Sequence, residues 1–151
     1  MIRSTLLLIL ICSFLLLSCS HEPGPEKLGV FAETGTGFVE LTSFGEQNGI
    51  QTYNLETAPP PIVGGTVKSY LINLPDVKIA NSKVFWTSTL DKFFDEKNAR
   101  IIGSSLESAS DNNRYKISIT DGNIPQSGYA LLKVGMPLGT PDRMYIVQIG
   151  N

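Results

Sequence analysis

The sequence predicts an all-β protein built as an antiparallel sandwich, and three observations carry that expectation. Short runs rich in β-branched and aromatic residues recur along the 151 residues, separated by Gly, Pro, Asn and Asp. That is the punctuation of strands and tight turns. Residues 114–119 alternate strictly, with Tyr115, Ile117 and Ile119 on one side and Arg114, Lys116 and Ser118 on the other. Such a period of two marks a strand with one buried face. The closing run is apolar on both faces, with Tyr145, Val147 and Ile149 set against Met144 and Ile146. A strand of that kind belongs inside a sheet rather than at its edge.

The elements follow in order. Leu28–Ala32 and Gly37–Thr42 are joined by Glu33-Thr34-Gly35-Thr36, a hairpin turn. The stretch from Gly45 to Gly49 leads into a strand over Ile50–Leu55. Pro59-Pro60-Pro61 cannot donate to a ladder and reads as a crossing segment. Strands are expected at Val67–Leu74, Val77–Ala80 and Lys83–Ser88, whereas Arg100–Leu106 is ambiguous. Gly128–Val134 and Arg143–Ile149, linked by a Gly/Pro-bearing connection, end the chain. One short helix is expected: Ser88-Thr89-Leu90-Asp91 has the layout of a capping box, and Leu90, Phe93 and Phe94 follow at helical spacing. The whole points to one domain over residues 28–151, immunoglobulin-like in general shape but without the Cys…Trp…Cys pattern, and a small β-barrel is the alternative. Trp86 is expected in the core of a central strand.

The N-terminus carries an address. Met1-Ile2-Arg3 is a short positive start, and Leu6–Leu17 is apolar but for Ser13. The run is shorter than the roughly 20 residues that span a bilayer, and its layout is that of a secretory signal over residues 1–18. Leu16-Leu17-Ser18-Cys19 resembles a bacterial lipobox, with an apolar residue three before the cysteine and a small one just before it. The resemblance implies a lipoprotein: Cys19 takes a diacylglycerol, residues 1–18 are removed, and the new amino group is acylated. Several acyl chains hold firmly, at about 0.8 kcal/mol per buried CH₂. Ser20 after the cysteine is similar to the sorting pattern of Gram-negative lipoproteins bound for the outer membrane. Cys12 leaves with the signal and Cys19 is consumed by lipid, so no disulfide is expected in the remainder. Residues 20–27, with Pro23, Gly24 and Pro25, then read with Cys19 as a tether.

Composition narrows the function classes. A formal charge of −2 without a Lys/Arg stripe argues against a nucleic-acid partner. The one histidine, His21, lies in the tether, so neither a Ser-His-Asp nor a Cys-His triad is expected, nor a zinc site. Asp91, Asp95 and Glu96, Asp111-Asn112-Asn113 and Asp121-Gly122-Asn123 supply oxygens, but lack the spacing of a calcium loop and read as turn chemistry. Val63-Gly64-Gly65-Thr66-Val67-Lys68-Ser69 lacks the Gly before Lys that a phosphate loop requires and precedes a strand. No metal, cofactor or catalytic residue is expected.

Pro125-Gln126-Ser127-Gly128-Tyr129-Ala130-Leu131, followed by Met144-Tyr145-Ile146-Val147, resembles the closing hairpin of small bacterial exported domains. That resemblance implies fold, not activity. The expected role is a non-catalytic binding or assembly module of the cell envelope. It would touch an envelope protein through a sheet edge, a loop end, or an apolar patch formed by Leu90, Phe93 and Phe94. A small-ligand or glycan binder, and after it a carboxylate-dependent hydrolase, are the alternatives.

Overall fold

The structure, a computed structural model, describes residues 24–150 apart from 48–49, 53–55, 57–58, 76, 78, 80–81, 92–93, 109–113 and 123–124. The expected signal, Cys19, Phe93 and the turn at residues 111–113 lie outside the described residues. Among the described residues twelve strands form two sheets. In chain order they are β1 (Gly29–Thr34), β2 (Gly37–Leu41), β3 (Ser43–Gln47), β4 (Ile50–Thr52), β5 (Ile62–Val63) and β6 (Ser69–Asn73). They continue as β7 (Lys83–Thr87), β8 (Arg100–Ile102), β9 (Ser104–Ser108), β10 (Arg114–Ile119), β11 (Gly128–Val134) and β12 (Arg143–Ile149).

The first sheet is five-stranded, in the order β2-β1-β6-β10-β9. The second is seven-stranded: β4-β3-β12-β11-β7-β8, with β5 also on β12. Every pairing is antiparallel except β5 on β12, where Ile149 faces Val63. The sheets remain two ladders and do not close, so the fold is the β-sandwich and not the small barrel. At opposite edges the chain steps directly from one sheet to the other. β2 becomes β3 across Thr42, and β8 becomes β9 across Gly103. Strands that bend between sheets are how sandwiches turn corners.

The core lies between the sheets. Val30 and Ala32 of β1, Tyr70 and Ile72 of β6, and Ile117 of β10 face Leu132 and Val134 of β11 and Tyr145, Val147 and Ile149 of β12. As the alternation predicts, Tyr115 and Ile119 pack on the same cluster as Ile117. β12 is internal, with β11 on one side and β3 and β5 sharing the other, and each of its faces is apolar because each meets an apolar cluster of its own. Trp86 is only partly buried at the core margin, where its indole N–H donates to the Ser127 carbonyl at 3.0 Å. Gly128 lies against this ring. Its φ of +110° suits glycine, and a Cβ there would stand 2.7 Å from the Thr87 carbonyl oxygen and 2.9 Å from Trp86 Nε1.

Two expectations need correction, and one ambiguity is resolved. Val77 and Ile79 lie outside any strand. Val77 is instead buried at the end of the core, and its carbonyl accepts from the Tyr115 hydroxyl at 3.1 Å. The ambiguous Arg100–Leu106 is strand on both sides of a bend at Gly103. The helix after Ser88 does not form among the described residues. Residues 88–91 and 94–95 are irregular, and the helical turn is a 3-10 turn at Glu96–Asn98. Asp95 is its cap, accepting from the Lys97 N–H at 2.9 Å. The physical reason is a second apolar layer, which draws this segment across the sheet.

Candidate functional site

The outer face of the seven-stranded sheet is apolar. Phe85 of β7, Leu131 of β11, and Met144 and Ile146 of β12 point away from the main core and are nonetheless fully buried. Leu90, Phe94 and Ala99, from the connection between β7 and β8, pack on them. The rings of Phe85 and Phe94 meet edge to face, centroids 5.5 Å apart at 67°. Residues 88–91 and 94–99 thus lie as a strap over the sheet. Partial burial of Leu90 and Phe94, at about 25 cal/mol per Å² of apolar surface covered, holds it there. Its far end is pinned by Lys133 of β11, whose ammonium bonds the Glu96 carboxylate and lies 3.5 Å from Asp142. Burial alone would lower the Lys133 pKa, but these two carboxylates outweigh it and hold the ammonium above its ordinary value.

This places two of the expected contact residues. Leu90 and Phe94 are partly buried in the strap's own packing on the sheet, while Phe93 lies outside the described residues. Exposed apolar side chains occur elsewhere. Ile101 on β8 is 62% exposed and Leu106 on β9 is 47% exposed, on either side of the Gly103 bend. Among the described residues both strands end their sheets, so each offers one open edge. Arg100 braces the bend through an ion pair with Asp121 at 2.7 Å. An open edge with apolar side chains is what strand addition uses. Nothing in residues 100–108 taken alone separates this edge from an interior strand, because the difference lies in what does not pair with it.

On the outer face of the five-stranded sheet, Glu33 of β1 accepts from the buried Ser69 hydroxyl of β6 and lies 3.2 Å from the Lys116 ammonium of β10. The Ser69 hydroxyl, with Lys116, holds the Glu33 carboxyl below its ordinary pKa against a smaller opposing effect of burial. Beside this group runs the described part of the expected tether. Asn73 of β6, itself buried, donates through Nδ2 to the carbonyls of Glu26 at 3.0 Å and Lys27 at 2.9 Å. The Lys27 ammonium pairs with Glu40 at 2.7 Å. The chain is therefore already fastened to the sheet at Gly24–Lys27, which composition read as tether.

A shallow open hollow lies at the end of the sandwich between Thr66, Val67, Lys68, Ile119, Asp121 and Gly122. It is the place of the Gly-Gly-Thr-Val-Lys segment, which does enter strand β6. The carboxylates named above have structural work: Asp95 caps the 3-10 turn, Glu96 pairs with Lys133, and Asp121 pairs with Arg100. Among the described residues no three of His, Cys, Asp and Glu come together as a metal site. In comparisons with known proteins, the chain matches no family model, no curated protein and no solved structure.

Proposed function

We propose that this protein is a lipoprotein anchored through Cys19 to the outer membrane, whose sandwich is a non-catalytic binding or assembly module of the envelope. The observation that carries the reading is Leu16-Leu17-Ser18-Cys19 at the end of a short apolar run with a positive start. Its physical consequence is attachment by acyl chains, with no segment of the sandwich needed in the bilayer. Support for a recognition role comes from the edge along β8 and β9. There Ile101 and Leu106 stand exposed beside open backbone, in a geometry suited to an extended segment of an envelope protein.

The test is photo-crosslinking in intact membranes from positions 101 and 106, followed by mass spectrometry of the adducts. One envelope protein caught from both positions, and lost on Leu106→Asp with folding unchanged, is the expected result. The protein recovered alone from both positions overturns the assembly reading. The hollow at Lys68 and Asp121 keeps a small-ligand reading in second place. That reading expects an ion or sugar whose binding is lost on Lys68→Ala.

A further inference from the structure

We propose that the outer face of the five-stranded sheet is the membrane-facing side of this protein, held there by a leash too short to let the domain turn over. The proposal rests on the anchoring at Cys19. The leash is short because the chain is clamped early. At Gly24 the chain lies directly on that face: a Cβ would stand 2.5 Å from Leu71 Cδ2 and 3.5 Å from Phe38 Cζ, two outer-face side chains. Asn73 then holds two successive carbonyls, and Lys27 pairs with Glu40.

Only residues 20–23 separate Gly24 from Cys19. Five Cα steps at full extension reach at most about 18 Å. Packed layers stand about 10 Å apart, so the strap over the second sheet lies roughly 20 Å beyond the first sheet, on the side away from Gly24. The strap cannot reach the bilayer unless the clamp peels off. The proximal face also suits its position. Its lysines are paired, Lys27 with Glu40 and Lys116 with Glu33, so that Phe38 and Leu71 lie among balanced charges. Such a surface rests at the headgroups of a zwitterionic bilayer and does not enter the hydrocarbon. The strap then faces the aqueous side.

The acylated protein has no other free thiol once residues 1–18 are removed, so single cysteines can be labelled cleanly. Glu107→Cys on the proximal face and Asp91→Cys on the strap, both exposed positions, carry a fluorophore. The lipidated full-length product is reconstituted into phosphatidylcholine–phosphatidylethanolamine vesicles containing a headgroup quencher. The expected result is strong quenching at 107 and weak quenching at 91, with the difference abolished by a long Gly/Ser insertion between Cys19 and Gly24. Equal quenching of the original pair, or stronger quenching at 91, overturns the orientation. A difference that survives the insertion overturns the leash as its cause. Palmitate incorporation in the same samples separates the failures, because its absence defeats the anchoring itself.

Discussion

Tyr70→Phe is predicted to stabilise this protein. Tyr70 lies on the inner side of β6, between Ala32 of β1 and Ile117 of β10, with 0% of its surface exposed. Among the described residues its hydroxyl finds no hydrogen-bond partner. An unpaired buried hydroxyl costs about 1–3 kcal/mol in desolvation. Phenylalanine removes that cost and leaves a void smaller than a methyl group, so the net gain is about 1 kcal/mol. For a domain of this size that raises Tm by about 4 °C. Burial also pushes the Tyr70 pKa far above its ordinary value of 10.0. The folded state thus binds this proton more tightly than the unfolded one. Its stabilising share is complete below the unfolded pKa and is lost as pH rises through and beyond it. The advantage of Tyr70→Phe therefore widens above about pH 10. Urea unfolding of the two proteins at pH 7 and pH 10.5 checks both parts. A variant less stable than the parent by about 1 kcal/mol at pH 7 would show that the hydroxyl has a buried partner, and would refute the reasoning.

Other outcomes follow from particular contacts. Gly128→Ala meets the Thr87 carbonyl and the Trp86 ring at a φ of +110°, and unfolding measurements should show a loss above about 2 kcal/mol; a change under about 0.5 kcal/mol refutes the close approach. Phe94→Ala removes the edge contact with Phe85 from a partly buried site, at a cost of about 1–3 kcal/mol, and hydrogen exchange at residues 94–99 should rise. Unchanged exchange would mean that the strap is held without it. Glu33→Gln should flatten the acid limb of the stability curve. The lowered Glu33 pKa gives stability that is present above the unfolded value of about 4.3 and lost as pH falls through the folded one. Parallel acid unfolding curves for parent and variant would contradict this.

The parts of the fold that sequence reveals are those written in local periodicity. Arg114–Ile119 shows its inner face by alternation, and Arg143–Ile149 shows its central place by being apolar on both sides. The parts that stay hidden depend on distant partners. β3 is short, polar and interrupted by Gly45, and it becomes a strand because β12 and β4 flank it. Leu90, Phe93 and Phe94 have the spacing of a helix, yet a sheet face of Phe85, Leu131, Met144 and Ile146 rewards Leu90 and Phe94 for lying across it instead. Gly24–Lys27 has a linker's composition, and partners far along the chain, the Asn73 amide, Glu40 and Leu71, make it part of the domain. Of the candidate site, Cys19 is legible because a processing signal is local. The edge at Ile101 and Leu106 is not, since an edge is defined by an absent neighbour.

The most direct measurement is metabolic labelling with palmitate, with mass spectrometry of the N-terminal peptide and fractionation of inner and outer membranes, for the parent and Cys19→Ser. Lipid on a new N-terminal Cys19, outer-membrane recovery, and loss of both in Cys19→Ser are the predicted results. A parent that takes up no label, together with a Cys19→Ser chain that still sediments with membranes, would contradict the anchoring on which the functional reading stands.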